Sequence, residues 1–417
     1  MVQPLRFLEG QWRRGGDLFS VKYPFFDRIA YVVDPEAVGR IFTGDPARFH
    51  AGEGNIGVLG PVVGENSLLT LDGDAHMEQR RLLLPPFHGD RIRRYEEVMV
   101  DAAEREVAGW PLERPFSLRP AMQRITLEVI LRAVFGVREE ERLARFRELI
   151  PRFGASSNAI VWIPALRRDL GPWSPWRRFL RRRQELDSLI YDEIRERRDA
   201  AHAESRDDVL SLLLSARHED GSPMSDVELR DELMTVLAAG HETTATGLAW
   251  VFERVLRHPA VHQRLREEVE RGPDGDEYID AVIKETLRVR PVVVDVVRKL
   301  TADTEIMGRL IPAGTFVVPA VALVQLRPEV YPDPHAFRPE RFLDGAPAPY
   351  TWIPFGGGVR RCIGASFAQY EIRTVLRTLV SQVRLRAASP RPEPPRTRNV
   401  TIVPSRGCRV VVEERLG

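Results

Sequence analysis

The sequence predicts a mainly α-helical protein with a small β-sheet region, a single large domain over residues 1–417 built around one long central helix. Three observations carry this expectation. Apolar residues recur at helical spacing from about residue 75 to about residue 260, strand signals are short and sit at the edges, and no linker or internal repeat divides the chain. Length alone, at 417 residues, would allow two or three domains, so the missing linker decides for one. Hydrophobic residues at 43% and charged residues at 29% are ordinary for a soluble globular protein. A net charge of +1 excludes a nucleic-acid partner that works through bulk electrostatics. The two distant cysteines, Cys362 and Cys408, fit a reducing compartment. The start of the chain shows no secretory leader, and no apolar run reaches the roughly 18 residues that span a bilayer. A cytoplasmic location is the expectation.

Taken in chain order, residues 29–33 read as the first strand. Ser225-Asp-Val-Glu228 is a capping box, in which hydroxyl and carboxylate satisfy free backbone donors reciprocally. The helix it opens runs to about Arg257, where His258-Pro259 stops it, and spans roughly 50 Å. Its apolar residues lie on nearly every side, so it belongs in the centre of the fold. Residues 315–318 read as a second strand. The Pro- and Arg-rich stretch 387–399 reads as an exposed connector, followed by strands 400–403 and 409–412 around a hairpin turn at Pro404-Ser-Arg-Gly407.

The chemistry concentrates in Phe355-Gly-Gly-Gly-Val-Arg-Arg-Cys362-Ile-Gly364. An arbitrary lone cysteine is usually a small buried hydrophobe. Here Gly356, Gly357, Gly358 and Gly364 would let backbone approach a flat ligand. A helix starting near Ile363 would bring its positive end to the sulfur and favour thiolate. A thiolate in that position can act as the axial ligand of haem iron, where it favours O–O cleavage. Arg360 suits an anionic haem propionate.

Three further clusters have weaker local readings. Glu285 and Arg288 share a helix face, which alone describes a solvated ion pair worth a few tenths of a kcal/mol. In Ala239-Gly-His-Glu-Thr243, Gly240 weakens the long helix by about 1 kcal/mol, and Thr243 can bond back to a carbonyl. Both favour a local bend, a groove at Ala239 and Gly240 for dioxygen and water, and an acid–alcohol pair Glu242–Thr243 for moving protons. The plainer alternative places Glu242 in a salt bridge, with His241 as a structural or solvent-facing neighbour. His76 and Arg80 lie one turn apart and could both reach an anion.

Together these motifs resemble the cytochrome P450 family of haem-thiolate monooxygenases over roughly residues 20 to 413. Phe355, Gly358, Arg360, Cys362 and Gly364 match its cysteine loop. The resemblance implies the P450 fold, haem b ligated by Cys362 as the metal ligand, and proton delivery through Glu242 and Thr243. It adds Arg341, in Pro339-Glu-Arg341-Phe342, to Glu285 and Arg288 as a buried structural triad. His76, Arg80 and Arg298 become propionate partners. Two features depart from the family: a proline-rich opening segment is missing, and Gln325 stands where many relatives carry histidine.

The resemblance implies insertion of one oxygen atom of O2 into a small apolar substrate. No flavin- or nicotinamide-binding segment is left over, so electrons must come from a ferredoxin- or flavodoxin-type partner with its reductase. Residues 53–64, 153–190, 236–240, 292–296 and 400–401 sketch an apolar pocket, with Asp295 as its odd polar group, expected to contact a propionate or water. A peroxygenase or isomerase would use the same ligand without electron delivery, and a haem-based sensor would need no proton relay. Trp162, Trp173 and Trp176 beside Arg167, Arg168, Arg177, Arg178 and residues 181–183 fit either a solvated basic helix or peripheral contact with a membrane, the helix being the plainer reading.

Overall fold

Side chains of Asp34, Asp208 and Ser225 cap three of the helix starts in the computed structural model, which describes residues 4–23, 26–171, 173–199, 207–272 and 275–416. Helix α1 (Pro4–Gly15) precedes α2 (Pro35–Thr43), where the Asp34 carboxylate accepts the Ala37 N–H at 2.8 Å. Helices α3 (Gly52–Val63) and α4 (Gly73–Leu83) are tied by Asp72, which accepts the N–H groups of Gly52 and Glu53 at 2.8 Å each. After α5 (Glu96–Ala108), α6 (Leu118–Val129) runs into a π-helical turn at Ile130–Val134. Helices α7 (Glu140–Trp162) and α8 (Pro175–Asp199) pack on each other, and α9 (Val209–Ser215) follows.

The long central helix is present, in two halves. The expected capping box opens α10 (Asp226–Val236): the Glu228 N–H reaches Ser225 Oγ at 3.2 Å, and the Ser225 N–H reaches Glu228 Oε2 at 2.8 Å. A π-helical turn at Leu237–His241 joins it to α11 (Glu242–Val255), buried continuously from Thr244 to Val255. Four helices complete the set: α12 (Pro259–Glu270), α13 (Glu277–Val289), α14 (Val321–Val324) and α15 (Ala365–Gln382).

Strands form small sheets at the periphery of this helical mass. β1 (Leu18–Tyr23), β2 (Phe26–Val32), β3 (Phe49–His50), β5 (Arg298–Leu300) and β8 (Phe316–Pro319) make a sheet in the order β1-β2-β8-β5-β3. The two strands expected at 29–33 and 315–318 pair with each other in parallel, Ile29 opposite Phe316. β4 (Phe116–Ser117), β9 (Val383–Ala387) and β12 (Arg409–Arg415) form a second sheet. β6 (Thr304–Ile306) pairs with β7 (Arg309–Ile311), and β10 (Pro395–Arg398) with β11 (Thr401–Pro404).

That last pairing corrects two expectations. The stretch 387–399 is more than a connector, because it supplies β10. The turn at Pro404–Gly407 exists, with the Gly407 N–H on the Pro404 carbonyl at 3.0 Å, yet it joins strands of different sheets. Buried Glu393 explains the divergence. Its carboxylate accepts the N–H groups of Arg406, Cys408 and Arg409 at 2.7, 3.2 and 2.8 Å, donors that a hairpin would have directed to β11.

Candidate active site

The distortion expected around Gly240 and Thr243 is the π-helical turn itself. A π turn leaves backbone carbonyls without their usual donors. Two threonine hydroxyls take them: Thr243 donates to the Ala239 carbonyl, and Thr126 of α6 donates to the His241 carbonyl at 3.0 Å. A Cβ on Gly240 would come within 3.2 Å of Ile130 Cδ1, so the missing side chain seats the second π turn, at Ile130–Val134, against the first. Ala238 and Ala239 keep solvent access in the middle of an otherwise buried helix. His241 is structural: its Nδ1 lies 3.0 Å from Thr126 Oγ1, and burial followed by nearby Arg119 pushes its pKa down to about 4.

Glu242 faces Arg119 of α6. The two form an ion pair, Gln123 Nε2 donates to the other carboxylate oxygen at 2.6 Å, and Arg398 approaches at 3.7 Å. Neither Arg119 nor Gln123 is signalled in the sequence, since both lie more than 110 residues upstream on another helix. In this arrangement Glu242 is an anion held next to Thr243, with its carboxylate turned to α6.

In the cysteine loop, the Cys362 N–H closes onto the Phe355 carbonyl at 2.9 Å, and α15 begins three residues later. Phe355 packs edge-on to Trp352 with centroids 6.1 Å apart. The thiol retains accessible surface although protein surrounds it densely, as a group lining a cleft does. Burial pushes its pKa up, while the Gly364 N–H bonded to the sulfur and the charges of Arg361 and Arg80 pull it down. The glycines divide into two pairs. Gly356, at φ 68°, and Gly364 have open space where a Cβ would stand. Gly357 and Gly358 instead admit Phe42 of α2, since a Cβ on Gly358 would lie 1.8 Å from the Phe42 carbonyl oxygen. Only the first pair answers to the expected approach of a flat ligand.

Four basic groups meet beside this loop. His76 is buried, and burial, then Arg360, Arg80 and Arg298, push its pKa down to about 3. Burial also lowers Arg298 and Arg360 to about 10, with Arg360 depressing Arg298 and Arg80 depressing Arg360. One carboxylate answers them directly: Asp72 accepts from Arg360 at 2.5 Å. Arg360 also donates to the carbonyls of Leu68 and Leu71, so it ties the cysteine loop to the α3–α4 connection. Arg298 donates to the Val297 carbonyl at 2.9 Å and stands over the Phe42 ring. Three arginines around a neutral histidine, next to an accessible sulfur, suit a planar group that carries two negative charges and a metal. Haem has that chemistry.

The Glu285–Arg288 pair is fully buried, which overturns its reading as a solvated surface pair. Arg288 Nε and one terminal nitrogen reach the two Glu285 oxygens at 2.6 and 2.8 Å, a bidentate fork. Arg341 joins at 3.5 Å, completing the expected triad. Gln325 has a larger part than its sequence suggested. Buried completely, it donates to the carbonyls of Leu287 and Arg288 at 3.1 Å and accepts the Ile353 N–H at 3.0 Å. It therefore couples the end of α13 to the approach to the cysteine loop. Asp295 accepts a long hydrogen bond from Tyr31, 3.4 Å, and burial raises its pKa to about 6.

Comparison with known proteins agrees with this geometry. The family model described as Cytochrome P450 matches residues 13–410. Cytochrome P450 135B1 of Mycobacterium tuberculosis is 42% identical, with 98% of this chain and 87% of that protein covered. Cytochrome P450 138 of the same organism is 39% identical, with 100% and 93% covered. Among solved structures, the cyanobacterial CYP120A1 bound to retinoic acid superposes with a TM-score of 0.86 at 24% identity, covering 100% of this chain and 95% of that one. The haem domain of cytochrome P450DA gives 0.86 at 25% identity, covering 99% and 93%. With a cysteine loop of this form and a family model spanning almost its whole length, the chain belongs to the cytochrome P450 family of monooxygenases, which bind haem through a cysteine thiolate.

Proposed function

We propose that the enzyme hydroxylates or epoxidises a small apolar substrate, with electrons supplied by a separate ferredoxin- or flavodoxin-type protein and its reductase, in the cytoplasm. The observation that carries this reading is the π turn, where Ala238 and Ala239 are accessible beside an acid–alcohol pair, Glu242 and Thr243. Haem b, when bound, supplies oxygen activation, with Cys362 as the thiolate to iron. His76, Arg80 and Arg298 would take the propionates, His76 through a hydrogen bond and the arginines through charge-assisted ones. Arg360 fixes the loop through Asp72 and adds its charge from there.

Proton movement falls to the pair on α11. The Thr243 hydroxyl rests on the Ala239 carbonyl, and Glu242 rests on Arg119 and Gln123. Delivery to the site requires Glu242 to exchange Arg119 for Thr243 and to carry a proton inward from the solvent side. Glu285, Arg288 and Arg341 keep a structural part.

The apolar substrate class is supported by Val292, Val293, Val294 and Val296, which flank Asp295 after α13. CYP120A1, which shares the fold, binds retinoic acid, so this scaffold admits an extended apolar molecule. Docking of an acidic electron donor is supported by exposed Arg91, Arg93, Arg94 and Arg361. Tyr95, whose ring lies 5.8 Å from that of Phe367, holds the first three against α15.

The test is incorporation of label from isotopic O2 into product with a surrogate ferredoxin, its reductase and NADPH. Label in product supports the monooxygenase. Turnover with hydrogen peroxide alone and none with reductant would move the enzyme to the peroxygenase class.

A further inference from the structure

We propose that Asp295 anchors a cationic end of the substrate, so that the enzyme takes an apolar molecule carrying a protonated amine. Such an anchor presupposes the apolar pocket of the proposed monooxygenase and fixes the polar end of its occupant. Asp295 lies midway along the loop from Val292 to Val297, and contacts at both ends of that loop set it over the pocket. At the start, the Val292 carbonyl accepts the Ile402 N–H of β11 at 2.8 Å, and a Cβ on Gly247 of α11 would lie 4.0 Å from Val292 Cγ2. At the end, Val297 packs on α3, where a Cβ on Gly54 would come within 2.8 Å of Val297 Cγ1.

The carboxylate is an enclosed anion without a cation. Protein surrounds Asp295 densely, yet the residue keeps accessible surface, the combination also found at Cys362, so that surface belongs to an internal cleft. Its one hydrogen bond among the described residues is the long one from Tyr31, whose hydroxyl lies 2.8 Å from that of Tyr23. These tyrosines, on β2 and β1, are the titratable groups that face it, and burial together with the Asp295 charge keeps both protonated. β8 and α14 bond to the loop backbone through Pro319 and Ala322, neither of which ionises. No arginine, lysine or histidine among the described residues offsets the charge, and the carboxyl, at about 6, is still ionised at neutral pH. A haem propionate is not the missing partner. It is an anion itself, and the cation nearest in sequence, Arg298, responds to Arg360 and Asp72 and not to Asp295. A carboxylate ligand would meet the same repulsion, and an alcohol would leave the charge uncompensated. A protonated amine brings both a charge and an N–H donor, and turns a costly enclosed ion into a charge-assisted pair.

Calorimetric binding to the haem-loaded enzyme, with no electron donor present, tests this separately from oxygen insertion. Three probes share one alkyl chain: N,N-dimethyldecylamine, decanol and decanoate. At about pH 7.5 the amine should bind at least about tenfold more tightly than the alcohol, with decanoate weakest. Lowering the pH to about 5 protonates Asp295 and leaves the amine charged, so amine affinity should fall about tenfold while decanol binding holds level. Asp295→Asn should bring amine and alcohol to within a factor of about two of each other. A reduced carbonyl spectrum shows whether that variant folds, and the pH comparison needs only the unsubstituted protein. An amine bound no more tightly than decanol, an amine affinity unchanged at about pH 5, or a preference that survives in Asp295→Asn overturns the proposal. So does a Soret shift to longer wavelength, which would put the amine nitrogen on the iron instead.

Discussion

Glu242 is held by Arg119 across the interface between α11 and α6, one residue before the threonine it is proposed to serve. The side chain that would deliver protons is therefore parked, and its departure from Arg119 and Gln123 becomes part of turnover. Glu242→Gln should lower product formation about a hundredfold while substrate affinity, read by the haem spin-state shift, stays within a factor of about two. Thr243→Ala should leave reductant consumption high and divert it to peroxide. Unchanged product per NADPH in both variants would remove the relay.

The buried triad should behave unequally. Glu285→Gln or Arg288→Leu leaves a buried charge without its partner and should cost about 3–5 kcal/mol in urea unfolding. Arg341, farther away at 3.5 Å and with some solvent access, should cost about 1 kcal/mol on replacement by alanine. Equal losses in all three would contradict a fork formed by Glu285 and Arg288 alone.

His241 gives an acid-side dependence. Its pKa is about 4 in the fold and ordinarily 6.5, so the unfolded chain takes up the proton first as pH falls. The stability it contributes is complete above about pH 6.5 and is lost on the way down to pH 4, roughly 3 kcal/mol in all. His241→Asn should flatten the difference in melting temperature between those two pH values. A slope identical to that of the unsubstituted protein would show that His241 is charged in the fold.

Glu371, on α15, gives the opposite sign. It is fully buried, its Oε1 has no hydrogen-bond partner, and burial raises its pKa from 4.5 to about 8. The native protein keeps this proton at neutral pH, whereas the unfolded chain loses it first. The contribution is full below about pH 4.5 and declines as pH rises to 8. Glu371→Gln keeps shape and removes the titration, so its melting temperature should exceed the parent's at pH 8 and converge with it near pH 4.5. Convergence at pH 8 instead would mean the carboxyl has an ionic partner.

What the sequence revealed was chemistry that acts within one turn. Ser225 and Glu228 cap each other, Glu285 and Arg288 share a face, and Gly240 with Thr243 marks the bend; each is a spacing of three residues. Partners set by tertiary contact were illegible. Arg119 could not be assigned to Glu242, nor Asp72 to Arg360, because both pairs form only after distant segments pack. Gln325 departs from a family pattern, yet its three hydrogen bonds are visible only in the fold. The strand after Gly407 is legible, but its partner is not, for a related reason: a side chain, Glu393, takes donors that local reasoning reserves for a neighbouring strand.

The π turn also changes how the long helix must be indexed. Five residues at 237–241 occupy a turn that an α-helix would close with fewer, so α10 and α11 are out of phase by about one residue, or roughly 100°. A single helical wheel drawn through residues 226–255 assigns the wrong face to one half. Arg230, Asp231 and Glu232 bond to the segment at 63–68, while Trp250 reaches the Ile402 carbonyl, so the two halves are anchored to different parts of the fold. Deleting either Ala238 or Ala239 would make the helix regular and turn one half's entire set of neighbours against the other's. The irregularity is therefore a gear between two separately packed rods, and the reading frame of side chains on either side of it depends on its being there.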